Sequence, residues 1–190
     1  MKKILLSLFT FFSVLATANA ETYTHTFKNG ELTTTGGTLT LSDIEWNAST
    51  ATHIGWNSTK GIQIGSSTNM NPSYTLSTSG FASYKIKSVT VNSSTASNSD
   101  ATFTITIGNQ SEEFKPNTTA TGYTFDCDDT TGNITIVWTT STKKAYYVKS
   151  ITVEYELPTD MVNVEKPTFK TREGVYENKV TVTAETTDQT

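Results

Sequence analysis

Large apolar and aromatic residues recur at every second position along most of this chain, with threonine, serine or asparagine between them. Tyr23, His25 and Phe27 alternate with threonines, Leu39 and Leu41 with Thr38 and Thr40, and Phe103, Ile105 and Ile107 with Thr102, Thr104 and Thr106. Tyr123 with Phe125, and Ile134, Ile136 and Trp138, repeat the pattern. A period of two sends the large side chains to one face of an extended chain and the small polar ones to the other. Turn dipeptides punctuate the runs: Asn29-Gly30, Gly36-Gly37, Asn71-Pro72, Gly108-Asn109 and Gly132-Asn133. Helical spacing is nearly absent. Short strands with one apolar and one wet face predict an all-β, antiparallel β-sandwich of about ten strands over 21–156, of the jelly-roll kind.

One stretch is said twice. SYKIKSVTVN at 83–92 is echoed by AYYVKSITVEY at 145–155, with Tyr84 matching Tyr146, Lys87 matching Lys149, Ser88 matching Ser150, and Thr90 and Val91 matching Thr152 and Val153. The spacing is too long for a solenoid repeat. Two strands in equivalent places of one sandwich explain it. In each, the apolar phase slips at the Lys-Ser step, so that Ile86 and Val148 are out of step with the apolar residues beyond that step; a β-bulge there accounts for the slip. The two lysines read as edge charges that block strand-to-strand aggregation.

The ends have a different character. Lys2 and Lys3, the apolar run from Ile4 to Leu15 and the small-x-small Ala18-Asn19-Ala20 have the form of a secretory signal peptide over 1–20, cleaved after Ala20. The apolar run falls short of the ~20 residues that span a bilayer, and no later segment reaches that length, so no membrane span is expected. The expected localisation is secreted or cell-surface. After Glu156 the alternation stops: 157–166 reads as a linker and 167–190 as the first strands of a second small β-sandwich, too short to bury a core alone. A monomeric module within a longer chain is the expectation.

Composition narrows the function classes. Without Lys2 and Lys3 the mature chain sets 12 basic residues against 18 acidic ones, and its lone arginine is Arg172. An acidic chain repels phosphate backbones, which argues against nucleic acid as a partner. Cys127 is the sole cysteine, which excludes an intrachain disulfide and a cysteine-based zinc site.

Candidate chemistry is sparse. His25 and His53 are the only histidines, and a nucleophile needs a base beside it. His25 sits in an alternating run and reads as a satisfied core or edge residue. Glu112 and Glu113, adjacent in a strand, point to opposite faces, whereas a glycosidase needs two carboxylates about 5–9.5 Å apart across a cleft. No catalytic residues are assigned and no enzyme activity is expected of this segment. Asp126, Asp128 and Asp129 in FDCDDTTGN offer hard oxygen ligands near a turn, a candidate structural calcium site; a solvated acidic turn is the competing reading. No other cofactor is expected. Sugars are bound on flat aromatic faces with amides and hydroxyls at the edges. Trp138 and Trp46 are in phase with their isoleucines and belong to the core. Trp56, in HIGWNSTKG, is the best exposed platform, with Asn57 and His53 as polar neighbours and Tyr147 as a further candidate.

Two resemblances add to this. Pro167, Phe169, Gly174, Tyr176, Val180 and Val182 resemble the opening of the chitobiase/β-hexosaminidase C-terminal-type domain, a small β-sandwich, whose Tyr-Thr-x-Asp-Gly continuation would lie past Thr190; this implies that the sequence is part of a longer protein. The stretches KGIQIGSS, YKIKSVTV, ATFTITIG and ITIVWTTSTKKAYYVKSITVEY resemble secreted bacterial jelly-roll-like β-sandwich accessory modules, of the carbohydrate-binding-module type. That resemblance implies a binding or spacer role; with the exposed aromatics and sparse catalytic groups it favours binding of polysaccharide or glycan, or surface adhesion, and the alternative is a spacer or stalk that positions a neighbouring domain.

Overall fold

The computed structural model describes residues 20–157; the expected leader (1–20) apart from its last residue, the expected linker (157–166) apart from its first, and the expected second-domain start (167–190) lie outside the described residues. In chain order the strands are β1 (Ala20–Thr26), β2 (Gly37–Leu41), β3 (Ile44–Ala48), β4 (Ile54–Asn57), β5 (Gly61–Ile64), β6 (Ser73–Thr78), β7 (Lys85–Thr95), β8 (Thr102–Ile107), β9 (Gln110–Phe114), β10 (Thr121–Thr130), β11 (Ile134–Thr139) and β12 (Tyr146–Glu156). The described residues contain no helix. The strands number twelve, slightly more than the ten or so expected; β4 and β5, of 4 residues each, are the shortest.

The strands build two antiparallel, six-stranded sheets that form a sandwich. The first runs β10–β7–β12–β5–β4, and the second β2–β3–β6–β11–β8–β9. Strand β12 organises the first sheet. Strand β7 pairs along its whole length on one flank. On the other flank β5 takes Tyr146–Val148 and β1 takes Ser150–Glu156. The alternating apolar faces meet between the sheets, where Trp46, Trp138, Tyr74, Tyr146, Phe81 and Phe103 are fully buried. Burial of each such side chain is worth roughly 1.5–3 kcal/mol, as is that of the isoleucines, leucines and valines packed around them. Trp46 and Trp138 sit where their phase placed them.

Polar atoms on these aromatics need partners once buried. Trp138 Nε1 on β11 donates to Ser93 Oγ on β7 (3.2 Å), and Ser93 Oγ donates to the Tyr147 carbonyl (2.7 Å). Trp46 Nε1 on β3 donates to Tyr23 OH on β1 (3.2 Å), which donates back to the Leu41 carbonyl (2.7 Å). Each relay crosses from one sheet to the other. They fix the lateral register that dispersion alone leaves soft. Burial pushes the Tyr23 phenol up to about 12, and the bond from Trp46 only partly offsets this, so the phenol stays a neutral donor.

The echoed strands turn out to be neighbours. β7 and β12 pair antiparallel with Thr90 opposite Thr152, Val89 opposite Val153 and Val91 opposite Ile151. Since Thr90 and Thr152 are also equivalent in the echo, a local two-fold axis passes through that pair. The register slips twice, at symmetric places. Between Val148 and Ser150 the extra residue is Lys149, and between Ile86 and Ser88 it is Lys87. Both Lys-Ser steps are therefore β-bulges, as the phase slip predicted. The expectation that these lysines guard an edge is corrected: both strands are interior to the sheet. Lys87 instead forms ion pairs with Asp129 on β10 and with Glu156 (2.9 Å).

The Ser93 relay gives a stability prediction. Ser93→Ala leaves Trp138 Nε1 buried without an acceptor and should cost about 1–3 kcal/mol, read from the urea midpoint. Ser94→Ala removes a buried hydroxyl that has no partner, so it should be neutral or stabilising. Equal losses for the two variants would contradict the relay.

Candidate functional site

A bulge reverses which residues face outward, and this creates the candidate site. Beyond Lys149, Ile151 and Val153 point into the core; before it, Tyr146 and Val148 do. Unbroken alternation from Ile151 would have turned Tyr147 inward. The extra residue turns it outward, so its ring stands half-exposed on the outer face of the first sheet.

Direct pairing extends this position into a row across four strands. Gly55 on β4 lies opposite Gln63 on β5, Gln63 opposite Tyr147, and Tyr147 opposite Ser94 on β7. Paired residues share a face, so the row presents a carboxamide beside a phenol. Gln63 Nε2 donates to the Gly65 carbonyl (3.0 Å), which holds the amide along the surface. At Gly55 the missing side chain makes room for a ring: a Cβ there would come within 3.2 Å of His53 Nε2 and 3.7 Å of Gln63 Cβ. His53 thus closes the row on the β4 side.

Lys60 stands over Tyr147 because the β4–β5 turn puts it there. Asn57 Oδ1 accepts from Thr59 N (3.0 Å), Thr59 Oγ1 (2.8 Å) and Lys60 N (3.0 Å), closing the turn. Gly61, at φ 89°, lets the turn lie against the Lys149 bulge; a Cβ would collide with the Val148 carbonyl. Lys60 Nζ then donates to the Thr95 carbonyl (3.1 Å) and lies 4.9 Å from the centroid of the Tyr147 ring. Partial burial raises the Tyr147 phenol above its ordinary value.

Of the four residues singled out for ligand contact, two meet on this face and two do not. His53 and Tyr147 flank Gln63. Asn57 shapes the turn with its side-chain oxygen already committed. Trp56 is 38% exposed, but it pairs with Ile62, a core residue, and so points to the opposite side of the sheet at its edge. It cannot share a ligand ring with Tyr147. Gln63 and Lys60 were not singled out from sequence. The alternation in GIQIG already turns Gln63 away from Ile62 and Ile64; its pairing with Tyr147 is carried by no local pattern.

Two clusters of polar contacts hold the loops beside the site. Asn71, 2% exposed, donates through Nδ2 to Tyr146 OH (3.0 Å) and accepts through Oδ1 from Thr52 N (2.9 Å). Asp100 gathers the loop that feeds Tyr146 and Tyr147 into β12: it accepts from Ser141 Oγ and N (3.2 Å), from Thr140 Oγ1 (2.5 Å) and from Thr142 Oγ1 (2.8 Å). These donors, Ser141 foremost, hold its carboxyl well below the usual carboxylate range.

The acidic segment lies at the other end of the sheet. Asp126 faces outward opposite Ser88, while Asp128 and Asp129, at φ 41° and 62°, form the irregular step in β10. With Lys87 they line an open hollow of about 600 Å³. Lys87 is ion-paired with Asp129 there, and among the described residues no three His, Cys, Asp or Glu groups converge as metal ligands. His25 is buried and satisfied, as its pattern implied: Nδ1 shares a hydrogen bond with Ser42 Oγ and Nε2 with Glu31 Oε2, both 3.0 Å. Ser42 and Asp43, at φ 44° and 68°, form the tight β2–β3 turn. The chain of contacts ties that turn and the loop after β1 to the first strand.

No family model matches this chain, and no curated protein matches it. Among solved structures, a family two carbohydrate esterase from Cellvibrio japonicus is similar over 74% of this chain and 36% of its own, with 11% identity and a TM-score of 0.44. The matching segment thus spans about a third of the esterase's length.

The Asp100 cluster predicts a pH dependence. Folding lowers this carboxyl's pKa, so its contribution is complete above the unfolded value of ~3.9 and is lost as pH falls toward the folded value. Asp100→Asn should therefore be less stable than the wild type at pH 7 and lose that deficit progressively below pH ~4. A deficit that stays constant down to pH ~2.5, followed by urea titration, would contradict the assignment.

Proposed function

We propose that this chain carries an exported, non-catalytic accessory module that binds carbohydrate, or adheres to glycan surfaces, through the outer face of its first sheet. The observation that carries the reading is the row Gly55–Gln63–Tyr147, flanked by His53. A sugar ring offers an apolar C–H face and a rim of hydroxyls. Tyr147 supplies area for the first, and Gln63 and His53 supply donors and acceptors for the second.

The placement of the site suits a presenting module. Residue 20 pairs with residue 156, so the two ends of the described segment emerge side by side. Tyr147 lies nine residues up β12 from there, about 30 Å along an extended strand. The candidate face thus lies at the end of the first sheet remote from residues 20 and 156. Export rests on the leader at 1–20; cleavage after Ala20 would keep Tyr23 and His25, the buried residues of β1, in the mature chain.

Electrophoresis of the mature chain, residues 21–190, in gels holding a panel of polysaccharides tests the reading. Retardation by at least one polymer is expected. Tyr147→Ala should weaken it at least ~10-fold with an unchanged far-UV spectrum, as expected for a central aromatic. Trp56→Ala, on the other side of the sheet, should leave it within about twofold. Loss on Trp56→Ala with none on Tyr147→Ala would move the site, and no retardation by any polymer would remove the function.

A further inference from the structure

We propose that the ligand of this face is an acidic glycan, one whose sugar rings carry a carboxylate that binds the Lys60 ammonium. This rests on the carbohydrate-binding reading and names its substrate class.

The first observation is the state of Lys60. Its ammonium is held in place, with one donor on the Thr95 carbonyl and its charge against the Tyr147 ring. An ammonium has three donors, and among the described residues no carboxylate forms an ion pair with this one. Holding a long, flexible lysine beside an aromatic platform costs side-chain entropy. A neutral ligand does not use the charge placed there. A carboxylate does, through a charge-assisted hydrogen bond about twice as strong as a neutral one.

The second is the distribution of charge over the sheet. Its own carboxylates, Glu21 on β1, Asp126, Asp128 and Asp129 on β10 and Glu154 and Glu156 on β12, all lie at the far end from Tyr147. The end that holds the row has Lys60 in the β4–β5 turn and Lys149 in the bulge. Asp100, in the adjoining loop, is committed to Thr140, Ser141 and Thr142. An otherwise acidic chain therefore presents a cationic, aromatic surface at this one end. Such local focusing draws anionic ligands despite unfavourable net charge.

The geometry also sets the order of contacts. The sugar ring lies along the exposed flank of Tyr147, its hydroxyls reach Gln63 and His53, and its carboxylate turns toward Lys60. Asn57 contributes as a positioning residue, since its turn aims Lys60.

The test is affinity electrophoresis of the mature chain in polygalacturonate and in the same polymer with its carboxylates methyl-esterified, at low salt. The wild type should be retarded about tenfold more strongly by the acid than by the ester, a difference of one charge-assisted contact. Lys60→Gln should abolish that difference, Lys60→Arg should retain it, and Lys85→Gln at the opposite end should change nothing. Raising the salt should weaken binding to the acid form alone. A κ-carrageenan arm, whose only anion is a sulfate ester, separates carboxylate from sulfate: retardation by it as strong as by polygalacturonate would overturn the assignment. Equal retardation by acid and ester overturns the inference while leaving the carbohydrate reading standing. Absence of retardation by these and every neutral polymer overturns both.

Discussion

The pairing of β7 with β12 is the constraint on which the rest depends. Two near-identical sequences meet around a local two-fold axis at Thr90 and Thr152, and each inserts one extra lysine into the ladder. An inserted residue does more than bend a strand. It exchanges the two faces for everything beyond it. In β12 this exchange puts Tyr146 and Val148 into the core and leaves Tyr147 on the surface. In β7 it buries Ile86 while keeping Ser88, Thr90 and Asn92 on the outer side. The outer face of the first sheet, and the candidate site upon it, exists in its present form because of these two irregularities.

Around this pair the molecule uses polar contacts to fix what packing leaves free. The relays through Ser93 and through Tyr23 each join a buried tryptophan of the second sheet to a strand of the first. Tyr146 is anchored separately on Asn71. Tyr147 is thus bracketed: its carbonyl is held by Ser93, its preceding side chain by Asn71, and its entering loop by Asp100. A platform whose backbone is held from three sides loses little freedom when a ligand binds, which favours affinity from a small contact area. The two bulge lysines have diverged in use. Lys87 neutralises Asp129 and Glu156 at the acidic end. Lys149 receives the β4–β5 turn, through the close approach that only Gly61 permits.

Much of the fold was legible in the sequence, because period-two alternation is a local signal. It located the long strands, put Trp46 and Trp138 in the core and exposed the phase slips at Lys87 and Lys149. It was blind to pairing. The lysines read as edge charges because nothing local says that β7 and β12 lie inside a sheet. Trp56 read as the platform because its neighbours Gly55 and Asn57 mark a turn; its opposition to Ile62 is a fact of register. The site was legible only in part for the same reason. His53 and Tyr147 carry aromatic chemistry that a reader can see. Gln63 and Lys60 gain meaning only from the cross-strand row and from the turn that docks on the bulge.

Whether the bulge-exposed row is the binding face is open to direct test by chemical-shift mapping. Backbone amide resonances of the mature chain would be followed during titration with polygalacturonate oligosaccharides. The perturbed amides should cluster at Gly55, Lys60, Gln63, Ser94 and Tyr147, on one face and at one end of the first sheet. Shifts centred on Trp56 and the opposite side of β4, or on Asp126 to Asp129, with Tyr147 and Gln63 unmoved, would contradict a binding role for the row.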